Sequence, residues 1–184
     1  MAVEGSRALV LGGGGVVGIA SETGVLAGLR AAGADVTNAD LFVGTSAGST
    51  VGAQVASGRD LDDLLALQLG PSDGLMEALS AEIDFSGVLE LFGWLAERTQ
   101  MGANQLREIG RRALEAKTPT ESARLEMVAT RLGVTEWPDR ALRVTTIDCA
   151  TGEFIWWDSS GPATLVEAIA SSSAVTTMLP SAPT

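Results

Sequence analysis

The chain has 184 residues, of which 46% are hydrophobic and 19% charged, a composition that fits one globular domain and excludes a disordered segment. Its formal net charge of -11 argues against nucleic-acid binding, which needs a basic face, and against purely electrostatic docking on anionic lipid. Because the sequence contains no histidine, it excludes a Ser-His-Asp triad and any zinc site built on imidazole.

The start of the chain predicts no targeting segment. The apolar run at residues 8–11 has no basic region before it and ends at four glycines, a pattern unlike a signal peptide. No apolar run approaches the ~18 residues that a membrane-spanning helix requires. The single cysteine, Cys149, fits a reducing compartment. We therefore expect a soluble, cytoplasmic protein.

The first part of the chain alternates between β and α patterns. Residues 8–11 form a short apolar strand, and residues 16–32 repeat apolar and small side chains at helical spacing, with Gly33 as a C-cap. A second strand at 40–43 leads through a turn into a second helix that reaches Ala56. Strands that alternate with helices are typical of a parallel sheet covered by helices, so we expect an α/β fold.

The middle of the chain is predicted to be helical and its end to return to β structure. Asp60 is the expected N-cap of the first of four helical segments, which are 61–69, 85–97, 103–116 and 119–132. Residues 142–148 and 154–157 predict a β-hairpin, and residues 164–175 predict a last helix.

A glycine-rich segment from Gly13 to Gly18 follows the first strand and opens the first helix. Glycines there allow a tight turn and leave backbone N–H groups free at the positive end of a helix dipole. Two kinds of oxyanion suit such a loop, namely a dinucleotide pyrophosphate and the transient oxyanion of acyl transfer. The loop by itself leaves both open.

A second motif, Gly-Thr-Ser-Ala-Gly at residues 44–48, lies directly between the second strand and the second helix. This is the context of a G-x-S-x-G nucleophile elbow, in which a sharp strand-to-helix turn exposes the serine hydroxyl. The alternative is a turn that merely caps a helix. Because both motifs lie in one βαβ unit, we expect them to meet at the carboxyl edge of the sheet. Ser46 is therefore the candidate nucleophile.

Taken together, these motifs resemble the patatin-like phospholipases, which carry a G-x-G-x-x-G loop and a G-x-S-x-G elbow at this spacing. The resemblance is close over residues 1–58 and then rests on the hairpin and the small-residue helix that ends near Ala174. It implies a three-layer α/β sandwich with a mainly parallel central sheet. We expect residues 1–184 to form the N-terminal portion of one such domain, incomplete at its C-terminal end.

The resemblance also implies the chemistry. The family hydrolyses lipid and other acyl esters with a Ser–Asp dyad, without a metal or cofactor, which agrees with the absence of histidine. Carried over by position, Ser46 is the nucleophile. The oxyanion hole would be built from the N–H groups of Gly13, Gly14 and Gly15, and the remaining motif glycines are Gly18, Gly44 and Gly48.

The dyad aspartate has no counterpart in the sequence. No Asp-Gly-Gly or Asp-Gly-Ala follows Ser46, Asp73 comes too early, and Asp148 precedes the hairpin. The chain stops about where the family's proline-rich loop leads to the aspartate. We expect either a truncated product or a companion polypeptide that continues the fold beyond Thr184 and carries the aspartate. A further departure is Val17, where many members have a basic residue.

Two alternatives stay open. A nucleotide-binding α/β protein would use the glycine loop, although Val43 stands where such a protein would place an acid for the ribose. A catalytically inactive module would bind lipid or a protein partner. An acyl-chain pocket would draw on apolar residues that more commonly form core, namely Phe85, Leu89, Phe92, Trp94 and Leu95. Trp156 and Trp157 are expected to pack the hairpin, and Cys149 to be an inert thiol.

Overall fold

The structure is a computed structural model that describes residues 6–70, 104, 107, 111, 120–148 and 150–174. The strands in these residues are β1 (Ala8–Leu11), β2 (Leu41–Gly44), β3 (Ala141–Ile147) and β4 (Phe154–Trp157). The helices are α1 (Gly15–Ala31), α2 (Ala47–Ala56), α3 (Leu61–Leu69), α4 (Glu121–Leu132) and α5 (Leu165–Ser172). None of the helices in the described part is long and apolar enough to cross a membrane.

The strands form one sheet in the order β1-β2-β3-β4. The first three run parallel, and β4 pairs antiparallel with β3 as the second arm of the predicted hairpin. In the register, Gly44 at the end of β2 lies beside Leu11 of β1 and Val144 of β3. The prediction of an α/β fold with a mainly parallel sheet is confirmed. The carboxyl ends of three neighbouring strands therefore meet at one edge, where such sheets bind ligands.

One face of the sheet carries the core. Alternate strand residues point to the same face, and the residues of this face are buried: Leu11, Phe42, Leu142 and Val144. Helix α2 packs across β1, β2 and β3, α5 packs on β3, and α1 packs against α2 and α3. The opposite face is open at Val10, Phe154 and Trp156, which are 70%, 54% and 48% exposed.

One helix end has the cap that the sequence predicts, and two others differ from the prediction by one or a few residues. Asp60 accepts hydrogen bonds from the N–H groups of Asp62 and Asp63, as an N-cap does. Gly33, predicted as the C-cap of α1, is instead the left-handed residue that follows the cap Ala32. Helix α5 begins at Leu165, one residue after the predicted start, because Thr164 is its N-cap, and it ends at Ser172, short of residue 175. The hydroxyls of Ser171 and Ser173 donate to carbonyls of the preceding turn, and such bonds weaken a helix end slightly.

Two predicted helices, 85–97 and 103–116, lie outside the described residues apart from residues 104, 107 and 111, which are helical. The apolar residues proposed for an acyl-chain pocket, from Phe85 to Leu95, also lie outside them. So does Cys149.

Candidate active site

Ser46 holds an uncommon backbone conformation at the junction of β2 and α2. Its φ is 52° and its ψ is −114°, and it is the one non-glycine residue with positive φ within the described ranges. Such a conformation costs about 1–3 kcal/mol and persists only where the surrounding structure imposes it. The G-x-S-x-G segment therefore forms the sharp strand-to-helix turn that the sequence predicts.

The two motif glycines beside Ser46 are required by the packing of backbone against backbone. A Cβ atom on Gly44 would overlap Ser49, 2.6 Å from its nitrogen, and one on Gly48 would overlap the carbonyl group of Leu11. Neither neighbour can move aside, because the overlapping atoms are main-chain atoms of Ser49 in α2 and of Leu11 in β1. This close approach lets the turn fold back onto the end of β1.

The glycine loop lies directly against the elbow. The N–H of Gly48 donates to the carbonyl of Gly12 at 2.8 Å, and the N–H of Thr45 donates to that of Leu11 at 3.1 Å. A Cβ atom on Gly13 would lie 3.7 Å from Cβ of Ser46. The structure thus brings together the loop and the serine that the sequence predicts to act together.

The N-termini of two helices converge on this point. Helix α1 begins at Gly15 with Gly14 as its N-cap, and α2 begins at Ala47 with Ser46 as its N-cap. No carbonyl in the described part of the chain accepts from the N–H of Gly13 or Gly14. N–H groups that no described carbonyl engages, together with two positive dipole ends, favour negative charge beside Ser46.

Close packing also sets the start of α1. A Cβ atom on Gly14 would lie 2.7 Å from Cα of Gly18, and one on Gly18 would lie 3.0 Å from Cβ of Ala47. Gly18 therefore brings α1 against the start of α2. Val17, where many family members have a basic residue, is 79% exposed.

Two contacts of the elbow were missed by the sequence analysis. The N–H of Ser46 donates to Oγ of Ser172 at the end of α5, at 2.8 Å. The hydroxyls of Thr45 and Thr145 share a hydrogen bond of 2.6 Å, which ties the elbow to β3. The sequence did contain an indication of Ser172, because this residue lies in the small-residue helix on which the resemblance to the family partly rests.

Glu22 on α1 is a carboxyl group near the glycine loop that the sequence analysis also passed over. Burial raises the pKa of Glu22, and the backbone N–H of Gly12 opposes that rise by favouring the charged form. Its Oε2 atom is buried, and it has no hydrogen-bond partner among the residues that the structure describes. The protonated form of Glu22 is thus favoured more in the folded chain than in the unfolded one.

No carboxylate within the described ranges forms a hydrogen bond with the hydroxyl of Ser46. Asp148 accepts from the N–H groups of Ala150 and Thr151 and so closes the hairpin turn. Asp158 accepts from both the N–H and the hydroxyl of Ser160. These aspartates serve turns, and Asp73 lies outside the described residues.

The aromatic residues of the hairpin are placed by packing. Trp157 is half-buried against the hydrophobic core, whereas Trp156 is exposed on the other face of the sheet. Trp156 packs edge-to-face on Phe154, with ring centroids 4.8 Å apart, and the guanidinium of Arg143 lies over its ring. Both tryptophans therefore pack the hairpin, as expected.

Comparison with known proteins agrees with these motifs. The sequence model of the patatin-like phospholipase family matches residues 9–182. The crystal structure of the type III effector protein ExoU is similar to this chain, with a TM-score of 0.47 and 18% identity, over 92% of this chain and 40% of that one. This chain thus spans less than half the length of ExoU. No curated protein matches it significantly. Because the family match extends over nearly the whole sequence, the chain belongs to the patatin-like phospholipase family.

Proposed function

We propose that this protein is a serine acyl hydrolase that cleaves lipid or other carboxylic esters, with Ser46 as the nucleophile of a Ser–Asp dyad. The observation that carries the proposal is the backbone of Ser46, held at a φ of 52° between β2 and the N-terminus of α2. A purely structural turn could use glycine at such a position without strain. A strained serine beside loop N–H groups that have no acceptor in the described ranges favours a catalytic role.

The proposed reaction has two steps. An aspartate accepts the Ser46 proton while Oγ attacks the ester carbonyl carbon, and the resulting tetrahedral oxyanion collapses to an acyl-enzyme as the alcohol leaves with that proton. In the second step the same carboxylate takes a proton from water, and the resulting hydroxide attacks the carbonyl carbon of the acyl-enzyme. The bond between that carbon and Ser46 Oγ then breaks, and the carboxyl group returns the proton to Oγ. The products are a carboxylic acid and an alcohol, with no metal or cofactor involved.

The oxyanion hole is assigned to the N–H groups of the loop formed by Gly13, Gly14 and Gly15. The N–H of Ser46 is already engaged by Ser172, so it is not the donor that receives the substrate oxygen. Loop donors that need no reorganisation lower the barrier for the oxyanion, and each is worth ~10²–10³ in rate. The same geometry disfavours nucleotide binding, because Ser46 occupies the space beside Gly13.

The dyad base is proposed to come from a companion polypeptide, where it lies within about 2.6–3.2 Å of Ser46 Oγ. Two observations support this. The hydroxyl of Ser46 has no carboxylate partner in the portion that the structure describes, and Asp148 and Asp158 are occupied in turns. Native mass spectrometry of the protein purified from its own cells tests the idea. A complex heavier than one chain supports it, whereas a single monodisperse 184-residue species contradicts it. We place this assembly in the cytoplasm.

The test of the nucleophile is labelling with a fluorophosphonate probe, followed by peptide mapping. The expected result is one labelled residue, Ser46, with labelling lost in Ser46→Ala. Ser57→Ala is the matched control, because Ser57 is an exposed serine at the other end of α2. Labelling that survives in Ser46→Ala would refute the assignment. A protein that resists the probe while binding lipid vesicles would be the inactive module instead.

A further inference from the structure

Three consecutive serines end α5 and have different partners. The hydroxyl of Ser171 donates to the carbonyl of Ala168 at 2.8 Å, and that of Ser173 donates to the carbonyl of Ile169 at 2.7 Å. Both bonds lie within the helix. Ser172 differs, because its Oγ accepts the N–H of Ser46 at 2.8 Å, across 126 residues of sequence.

The N–H of Ser46 needs such a partner. Thr45 separates Ser46 from Gly44, the last residue of β2, and Ser46 directly precedes the first residue of α2, so its N–H belongs neither to the sheet ladder nor to the helix ladder. A donor left unpaired away from water destabilises the folded state. Ser172 supplies the acceptor to a residue whose backbone is already strained.

From this contact we infer that Ser172 is a positioning residue for the nucleophile, a role that rests on the proposed function of Ser46. By accepting the N–H, it holds the Ser46 peptide in the conformation that presents Oγ at the carboxyl edge of the sheet. Because the N–H of Ser46 donates to Ser172, the oxyanion is bound by the N–H groups of the glycine loop instead.

The helix that carries Ser172 is itself held at both ends. At its start, Thr164 and Glu167 form a capping box. In its last turn, the buried guanidinium of Arg124 on α4 donates to the carbonyl of Ala170. Burial lowers the pKa of Arg124 to about 10, so it stays charged at neutral pH and favours the negative end of the helix dipole. Ser172 thus projects from a fixed element.

The inference is tested with Ser172→Ala and Ser172→Thr, which remove and retain the hydroxyl acceptor. Ser171→Ala and Ser173→Ala are the matched controls, since each removes a serine hydroxyl from the same helix end without touching Ser46. The first readout, measured on the protein with its companion polypeptide bound, is the rate of fluorophosphonate labelling, together with kcat and KM for p-nitrophenyl butyrate. We expect Ser172→Ala to lower the labelling rate and kcat about 10-fold at similar KM. Ser172→Thr should recover most of the loss, and both controls should stay near wild type.

A second readout does not depend on activity. Amide hydrogen exchange followed by NMR should show faster exchange of the Ser46 N–H in Ser172→Ala, with protection restored in Ser172→Thr. Unchanged exchange, or a wild-type labelling rate in Ser172→Ala, would overturn the inference, as would equal losses in Ser171→Ala and Ser173→Ala. The two ideas fail separately: labelling that persists in Ser46→Ala refutes the nucleophile, whereas the exchange result tests the contact whatever the activity.

Discussion

Gly48 lies so close to Leu11 that a Cβ atom on the glycine would overlap the leucine carbonyl group. This contact joins the first turn of α2 to the end of β1, and the N–H of Gly48 reinforces it by donating to Gly12 at 2.8 Å. The nucleophile and the glycine loop are neighbours because two stretches of backbone touch without side chains between them.

Gly48→Ala should therefore destabilise the protein by about 3 kcal/mol or more, since the added methyl meets main-chain atoms that cannot turn away. Gly24→Ala is the control, because Gly24 lies in α1 and a methyl group added there would have no neighbouring atom within 4 Å. Removing a glycine from a helix interior should stabilise by about 0.5–1 kcal/mol. Urea denaturation measures both variants. Equal stability of the two would contradict the packing argument.

Ser46→Gly should be more stable than Ser46→Ala by about 1 kcal/mol or more. At a φ of 52° alanine keeps the steric strain of the serine, whereas glycine relieves it. At Ser57, where φ is −77°, glycine should give no such advantage over alanine. Chemical denaturation of the four variants provides the measurement, and an alanine that matches glycine at position 46 would show that the turn is unstrained.

Gly13→Ala should slow fluorophosphonate labelling of Ser46 by about 10²-fold, because the added methyl group would lie beside Ser46 and hold the oxyanion away from the loop donors. The variant should still fold, because the new Cβ would lie at an ordinary 3.7 Å from Cβ of Ser46. Gly14→Val is a poorer test of the oxyanion hole, because a Cβ atom on Gly14 would lie 2.7 Å from Cα of Gly18. A loss of labelling in that variant would therefore also report disturbed packing. Gly24→Ala again serves as the control. If a folded Gly13→Ala protein were labelled at the normal rate, the result would contradict the oxyanion-hole assignment and favour a structural or nucleotide-binding role for the loop.

Glu22→Gln should change how stability depends on pH. Burial raises the pKa of Glu22 in the folded chain, so the folded state holds its proton more tightly than the unfolded state, whose pKa is about 4.3. The contribution of Glu22 to stability is thus full below that value and is lost as pH rises through the folded pKa. Urea denaturation across pH 3–8 should show Glu22→Gln gaining on wild type as pH rises. An advantage that grows as pH falls would contradict the shift.

Much of the site was predictable because its parts are contiguous in sequence. Residues 44–48 predict a strand-to-helix turn, and the structure has that turn with Ser46 at a φ of 52°. The loop from Gly13 to Gly18 predicts the entry to a helix, and α1 begins at Gly15. The geometry of a turn depends on the backbone conformations that its own few residues can adopt. A short segment of sequence is therefore enough to predict it. The roles of these residues in catalysis remain predictions.

The tertiary structure alone decided the contacts between distant segments. Ser172 meets Ser46 across 126 residues, and Thr145 meets Thr45 across 100, because β3 lies beside β2 and α5 packs on β3. No local sequence pattern predicts that pairing. The serines at the end of a helix cannot be told apart by sequence until the packing of the helix shows which of them contacts the elbow. The chain's local steric preferences therefore determine the shape of the elbow, whereas the partner of its N–H is decided by how the sheet and helices pack.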